Sequence, residues 1–322
     1  MILKCCTRAL RLALALAVLS IPMWAAPVER AIMVREANLY ISPDAASQKL
    51  ATVERGREVA ILEQSNAWLH VLANVAGGME GISDEDAKQV TGWVLAKGVI
   101  RTSMPDGDKI LFGEAADSEA QAQERRGRRG AAQDAMRLYA RMAEYFPNSP
   151  LAGEAMYRGA DILWQLERAD VMSRPSARQR DPGMRAGMTE DYLRKVEKKF
   201  PHTPWADRAA FDLLENKLCG EWQGSSKCPD KEADLYENYA KDRPDSPKVA
   251  EALYNAAWRR AALVEIYKTE LDQKKSAESR SRAQALAQRI ISQFTQTDWA
   301  PRAQTLLYKL DQGIPTYGNV VE

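Results

Sequence analysis

The sequence predicts a multidomain chain, a small all-β barrel followed by an all-α solenoid of helical hairpins. Three observations predict it. Residues 30–102 alternate apolar and polar positions in short runs separated by turn dipeptides. Residues 131–313 carry one punctuation four times, built on proline in three of the copies, each time behind apolar residues at helical spacing. Between them, residues 103–130 shift to a turn, Pro105-Asp106-Gly107, and then to a charged stretch of good helix formers, read as a linker and charged helix start.

A leader precedes both parts. Lys4, Arg8 and Arg11 open it, Leu12 to Ile21 is an apolar run, Pro22 breaks the run, and the small residues Ala25 and Ala26 follow. This is the three-part plan of a secretory signal peptide over residues 1–26. The run is shorter than the ~20 residues a membrane-spanning helix needs, and no later segment could span, so no integral membrane span is expected in the mature chain. The expected location is outside the cytoplasm, in the periplasm or cell envelope. Met23 and Trp24 stand where a cleavage site prefers small residues, which leaves an uncleaved anchor open. Cys5 and Cys6 lie before the apolar run, on the wrong side for a lipid-bearing cysteine.

Composition narrows the function. The chain of 322 residues has 45 basic and 44 acidic side chains. Removing Lys4, Arg8 and Arg11, with no acid, leaves 42 basic against 44 acidic, a balance unsuited to nucleic acid. Two histidines, His70 and His202, share no metal-ligand spacing. There is no phosphate-binding glycine loop and no Gly-x-Ser-x-Gly elbow. No cofactor, metal site or catalytic residue is expected, and the chain is read as a non-enzyme. Cys219 with His202 is the one nucleophile pair to weigh, but Cys228 is the better partner for Cys219.

In the first module, Val53, Val59, Ile61, Trp68, Val71 and Val94 fall in runs divided by Pro43-Asp44, Arg55-Gly56 and Ser65-Asn66. Four motifs follow in order: Asn38-Leu39-Tyr40-Ile41-Ser42-Pro43, Arg55-Gly56-Arg57-Glu58-Val59, Trp68-Leu69-His70-Val71 and Thr91-Gly92-Trp93-Val94. Residues 30–102 thereby resemble the bacterial SH3-like (SH3b) domains. Tyr40 and Ile41 replace that family's usual Val-Arg, and the segment Ala73 to Val90 is longer than its usual hairpin. The resemblance implies contact with peptidoglycan or with protein peptides. Tyr40, Trp68 and Trp93 are candidates for a ligand groove; the alternative places both tryptophans in the core of the barrel.

In the second part the punctuation reads Phe146-Pro147-Asn148-Ser149-Pro150, Phe200-Pro201-His202-Thr203-Pro204, Arg243-Pro244-Asp245-Ser246-Pro247 and Phe294-Thr295-Gln296-Thr297-Asp298. A proline stops one helix, a Ser or Thr hydroxyl caps the next, and a second proline suits the first helical position. Met142, Val196, Tyr239 and Ile290 lie four residues ahead of the copies. Tyr139, Leu193, Tyr236 and Ala287 lie seven ahead, and Leu138, Tyr192, Leu235 and Leu286 eight ahead, so each copy presents one buried stripe. Ala155, Ala209, Ala252 and Ala303 follow the cap at a fixed distance and permit close helix approach. These units resemble the extended TPR-like hairpins of periplasmic proteins of the Tol-Pal-associated and outer-membrane assembly lipoprotein types. That resemblance implies a solenoid whose concave face takes a protein or peptide partner. Scaffold, outer-membrane or division assembly factor, and regulator or subunit of a cell-wall hydrolase are the roles it leaves open.

Smaller features complete the reading. Arg125, Arg126, Arg128 and Arg129 are expected on a solvated helix face. Met172 to Gly187, with two prolines and several arginines, is expected as an exposed loop, and residues 314–322 as a surface tail. Only Cys219 and Cys228 remain after leader removal. A paired number in an exported chain, flanking Gly220, Gly224 and two serines, points to a disulfide across a turn, with two free thiols as the alternative. A thiol count on denatured, unreduced mature protein is expected to give zero; two free thiols would refute the pairing.

Overall fold

The computed structural model describes residues 29–75, 88–182, 184–220 and 222–317. The leader, and the part of the Ala73 to Val90 insert that falls at 76–87, lie outside the described residues. An antiparallel sheet comes first, followed by a helical region.

Seven strands form the sheet: β1 (Glu29–Met33), β2 (Ala37–Tyr40), β3 (Lys49–Val53), β4 (Glu58–Ser65), β5 (Trp68–Val75), β6 (Lys88–Leu95) and β7 (Val99–Arg101). Their order is β3-β2-β6-β5-β4-β1-β7, antiparallel throughout. The sheet coils around Leu39, Val53, Val59, Leu69, Val71 and Val94, with Ala31 and Met33 from β1. The expected closed barrel is not formed, because β3 and β7 do not pair. Helices cover the β1–β7 side instead, which protects that edge without closure. Ile32, Val34 and Ile100 turn away from the sheet core and pack with Leu111, Leu138, Tyr139 and Met142 of the helical part.

The first three helices are α1 (Gly107–Gln123), α2 (Ala131–Tyr145) and α3 (Ala152–Ser173). The stretch expected as a linker and charged helix start thus holds a complete helix, packed on α2. The arginine run lies in the turn after α1 rather than on a helix face, and Arg128 there pairs with Asp134. The four-residue α4 (Ala177–Arg180) sits within the expected exposed loop. Then come α5 (Asp191–Lys199), α6 (Pro204–Asp212) with a 3-10 turn at Leu213–Lys217, α7 (Lys227–Asp242), α8 (Val249–Thr269), α9 (Gln273–Gln293) and α10 (Trp299–Asp311).

All four punctuations fall between helices. Phe146, Phe200, Arg243 and Phe294 each end a helix in one conformation, φ −123 to −132° and ψ 39 to 62°. Each donates its N–H to the carbonyl four residues back, on Met142, Val196, Tyr239 and Ile290, all of which are buried. Ala155, Ala209, Ala252 and Ala303 are fully buried as well. The expected hydroxyl cap forms once: Thr203 accepts from the N–H of Ala206, with Pro204 at the first helical position. At Ser149 and Ser246 the hydroxyl accepts from a residue two further on, Leu151 (3.2 Å) or Lys248 (3.0 Å), and the helix begins later. Thr297 donates to the Phe294 carbonyl instead. The second proline, at 150 and 247, therefore belongs to a turn that precedes the helix.

Sheet and helices meet tightly at the turn between β3 and β4. Gly56 has φ +78°, and a Cβ there would lie 2.6 Å from the Cβ of Arg137 on α2. Beside it, Arg137 Nε donates to the Arg55 carbonyl at 3.1 Å, and Arg55 reaches Ser118 (2.8 Å) and Glu114 (3.4 Å) on α1. Gly56→Ala is expected to lower stability by about 2–4 kcal/mol, through a left-handed backbone and overpacking against α2. Denaturant unfolding checks this, and a loss under about 0.5 kcal/mol would show that the approach does not constrain the fold.

Candidate functional site

β5 reads Trp68-Leu69-His70-Val71, and alternation sends successive side chains to opposite faces. Leu69 and Val71 enter the sheet core, so Trp68 and His70 face outward. On β6 the same parity puts Val94 inside and Trp93 outside. Tyr40 on β2 stands opposite Trp93, and Trp93 stands opposite His70. The reading of Trp68 and Trp93 as barrel core is therefore corrected: both are half-buried on the outer face.

Four rings gather there. His70 and Trp93 stack with centroids 4.9 Å apart and planes at 18°. Tyr40 meets Trp68 edge to face at 5.8 Å. Asn38 lies beside the Tyr40 hydroxyl (3.4 Å) and the Thr52 hydroxyl (3.4 Å), which adds polar groups to the rim. Gly92 lets β2 approach β6, since a Cβ there would lie 3.0 Å from the Tyr40 carbonyl. The result is an aromatic cluster with hydrogen-bonding groups at one side. Such a surface suits a sugar ring or an extended peptide, both of which offer an apolar face and polar edges. The structure brings Tyr40, Trp68 and Trp93 together and adds His70, which the sequence had placed only in a strand.

A second concave surface lies between α3, α6 and α8. A groove of about 330 Å³ is bordered by Trp164 and Arg168 of α3, Asp212 of α6, Glu215, Lys248 just ahead of α8 and Glu251 within it. Asp212 accepts a hydrogen bond from the Tyr157 hydroxyl at 3.0 Å. Burial, together with the negative charge of nearby Asp161, pushes the Asp212 carboxyl up to about 7, against the opposing effects of the Tyr157 hydrogen bond and of Lys248. Burial raises Asp161 too. Nothing in the sequence singled out this pair, because the two acids come from different repeats and meet only through stacking of α3 on α6.

Cys219 and Cys228 stand at disulfide distance, with S–S 2.13 Å and Cα–Cα 6.0 Å. They close the loop ahead of α7. No group of three or more His, Cys, Asp or Glu among the described residues could hold a metal ion. No helix among them is long and apolar enough to cross a membrane.

No protein-family model matches the chain, and no curated protein does. Among solved structures, a de novo designed helical repeat protein is similar at 18% identity and TM-score 0.22, covering 64% of this chain and 94% of its own. At that score the likeness carries no argument about function.

The raised carboxyl has a stability consequence. The folded value for Asp212, about 7, lies above its ordinary 3.8. The folded state therefore holds the extra proton between the two values, and stability falls as pH rises through that window. Asp212→Asn keeps an acceptor for Tyr157 and removes the charge. It is expected to raise Tm by about 5 °C at pH 8 and to leave it unchanged near pH 4. Thermal melts across that range check the sign, and an equal change at both pH values would refute the assignment.

Proposed function

We propose that this chain is a non-catalytic binding protein of the cell envelope. Its SH3-like sheet contacts wall or protein peptides, and its TPR-like helical array takes a protein partner. The observation that carries the reading is the position of Tyr40, Trp68, His70 and Trp93. Large aromatic rings bring more apolar area than any other side chains, and clustered on an outer face they offer it to a ligand. Here the sheet core is filled by aliphatic side chains, and the rings are assembled outside it. The leader-like residues 1–26 support export, and a cysteine pair at disulfide distance is compatible with an oxidising compartment. The repeating helix ends support a stacked array with a ligand-accepting groove.

Peptidoglycan is the first ligand to test. Co-sedimentation of the mature chain with purified sacculi is expected to pellet the wild type, and Trp68→Ala/Trp93→Ala is expected to weaken pelleting about tenfold or more. The tryptophans lie outside the core, so circular dichroism of the double variant should match the wild type. Equal pelleting of both proteins, or none by the wild type, would remove the wall from the reading. Release of soluble fragments from the sacculi would overturn the non-catalytic assignment.

A further inference from the structure

The disulfide-closed loop ahead of α7 carries Trp222 on its outer side. Trp222 packs on Trp258 of α8 at 5.2 Å and on Tyr317 of the C-terminal segment at 5.3 Å. Together with Arg259 they frame a hollow of about 500 Å³. Its floor is the carboxylate of Glu232, only 1% exposed. That carboxylate accepts from the Cys219 N–H (2.8 Å), the Trp222 indole N–H (3.3 Å) and Arg259 Nε (2.7 Å). Trp222 is thus held by the loop, the disulfide and a buried acid. None of these supports comes from the C-terminal segment, so Trp222 is held in place independently of Tyr317.

Tyr317 arrives by a separate device. Gly313 has φ +70° after α10, the Ile314 N–H bonds the Lys309 carbonyl (2.8 Å) and the Gly313 N–H bonds that of Leu310 (3.2 Å). This pair of bonds reverses the chain at a helix end and sends residues 315–317 back to the loop. Tyr317 lays its ring on Trp222, and its hydroxyl oxygen accepts weakly from the Gly224 N–H at 3.4 Å. The fit is incomplete. Ile314 is exposed, and the Thr316 hydroxyl is buried without a hydrogen-bond partner. A segment that buries an unsatisfied hydroxyl is displaceable by one that does not.

We propose that the hollow framed by Trp222, Trp258 and Arg259 is a binding site for an extended peptide segment bearing an aromatic side chain. In this structure the chain's own Tyr317 packs on Trp222 along one side of it. The inference gives the array's partner its chemistry, and so rests on the reading of the array as a protein-binding surface. The ring stacks on Trp222, the adjacent backbone runs past Arg259 and Gln223, and the tail competes from a short tether.

The test uses the mature full-length protein and its Tyr317→Ala variant. The probes are a peptide of residues 313–322, GIPTYGNVVE, and the same peptide with alanine for tyrosine, measured by calorimetric titration. The variant is expected to bind the tyrosine peptide about tenfold or more tightly than the wild type, whose tethered tail competes at an effective concentration of order millimolar. The alanine peptide should not bind. No binding to the variant up to about 1 mM, equal affinity for the two proteins, or undiminished binding of the alanine peptide would each overturn the proposal. Such a failure leaves sedimentation with sacculi untouched, so it is distinguishable from failure of the wall reading.

Discussion

Strand β1 is buried on both faces, and the layout of the molecule depends on this. Ala31 and Met33 fill the sheet core, while Ile32 between them enters the helical core with Val34 and Ile100. A strand in this position leaves no free interface between sheet and helices. The helices complete the sheet's exposed side, and the sheet supplies part of the core that α1 and α2 need. Salt bridges and hydrogen bonds reinforce the seam. Glu58 of β4 holds Arg30 and faces Arg141 of α2 at 3.6 Å, and Arg55 reaches both Glu114 and Ser118 on α1. A cut near residue 110 would pass through α1 and expose this core, so the two parts do not separate there.

With β1 and β7 committed to the helices, the outer faces of β2, β6 and β5 stay uncovered. The four rings stand on those three strands. Their exposure follows from topology as much as from side-chain chemistry. Because the sheet stays open and docked, one side is structural and the other is available.

Much of the array is legible in the sequence, because its signals are local. A proline after an aromatic or arginine, an apolar residue four positions back and an alanine at a fixed distance onward all act within one or two turns. The structure keeps the buried apolar residue and the buried alanine in all four copies, and the proline stands in three of them. The hydroxyl caps fared less well, since Ser149, Ser246 and Thr297 make turn-type bonds rather than helix caps. Those bonds depend on where the neighbouring helix sits, which local sequence does not encode. The outward tryptophans were legible in part. On β5 the parity that holds Leu69, Val71, Ala73 and Val75 is wholly apolar, while the parity of Trp68 also holds His70 and Asn74. The sheet's open edge was not legible, nor was the meeting of Asp161 with Asp212, because both require contacts between distant segments.

The centre of the helical region shows how alanine-rich helices fix their register. Helix α8 carries Ala252, Ala256, Ala257, Ala261 and Ala262, all buried, and packs on α7, α9 and α10. Small flat contacts of this kind are close but permit sliding. Two adjacent arginines on α8 remove that freedom. Arg259 meets Glu232 and stacks over the Tyr236 ring at 4.7 Å. Arg260, 2% exposed, meets Asp230, Asp234 and Glu237. The last three acids are spaced four and three residues apart, so they form one stripe on α7. A buried guanidinium is tolerable only where acceptors surround it. A shift of α8 along α7 by one turn would take Arg260 away from part of that stripe and leave its buried charge short of acceptors. The same placement sets Arg259 on Glu232, and Glu232 in turn positions Trp222 through its indole N–H. The register of two core helices thereby reaches the molecular surface, as a fixed tryptophan beside the disulfide.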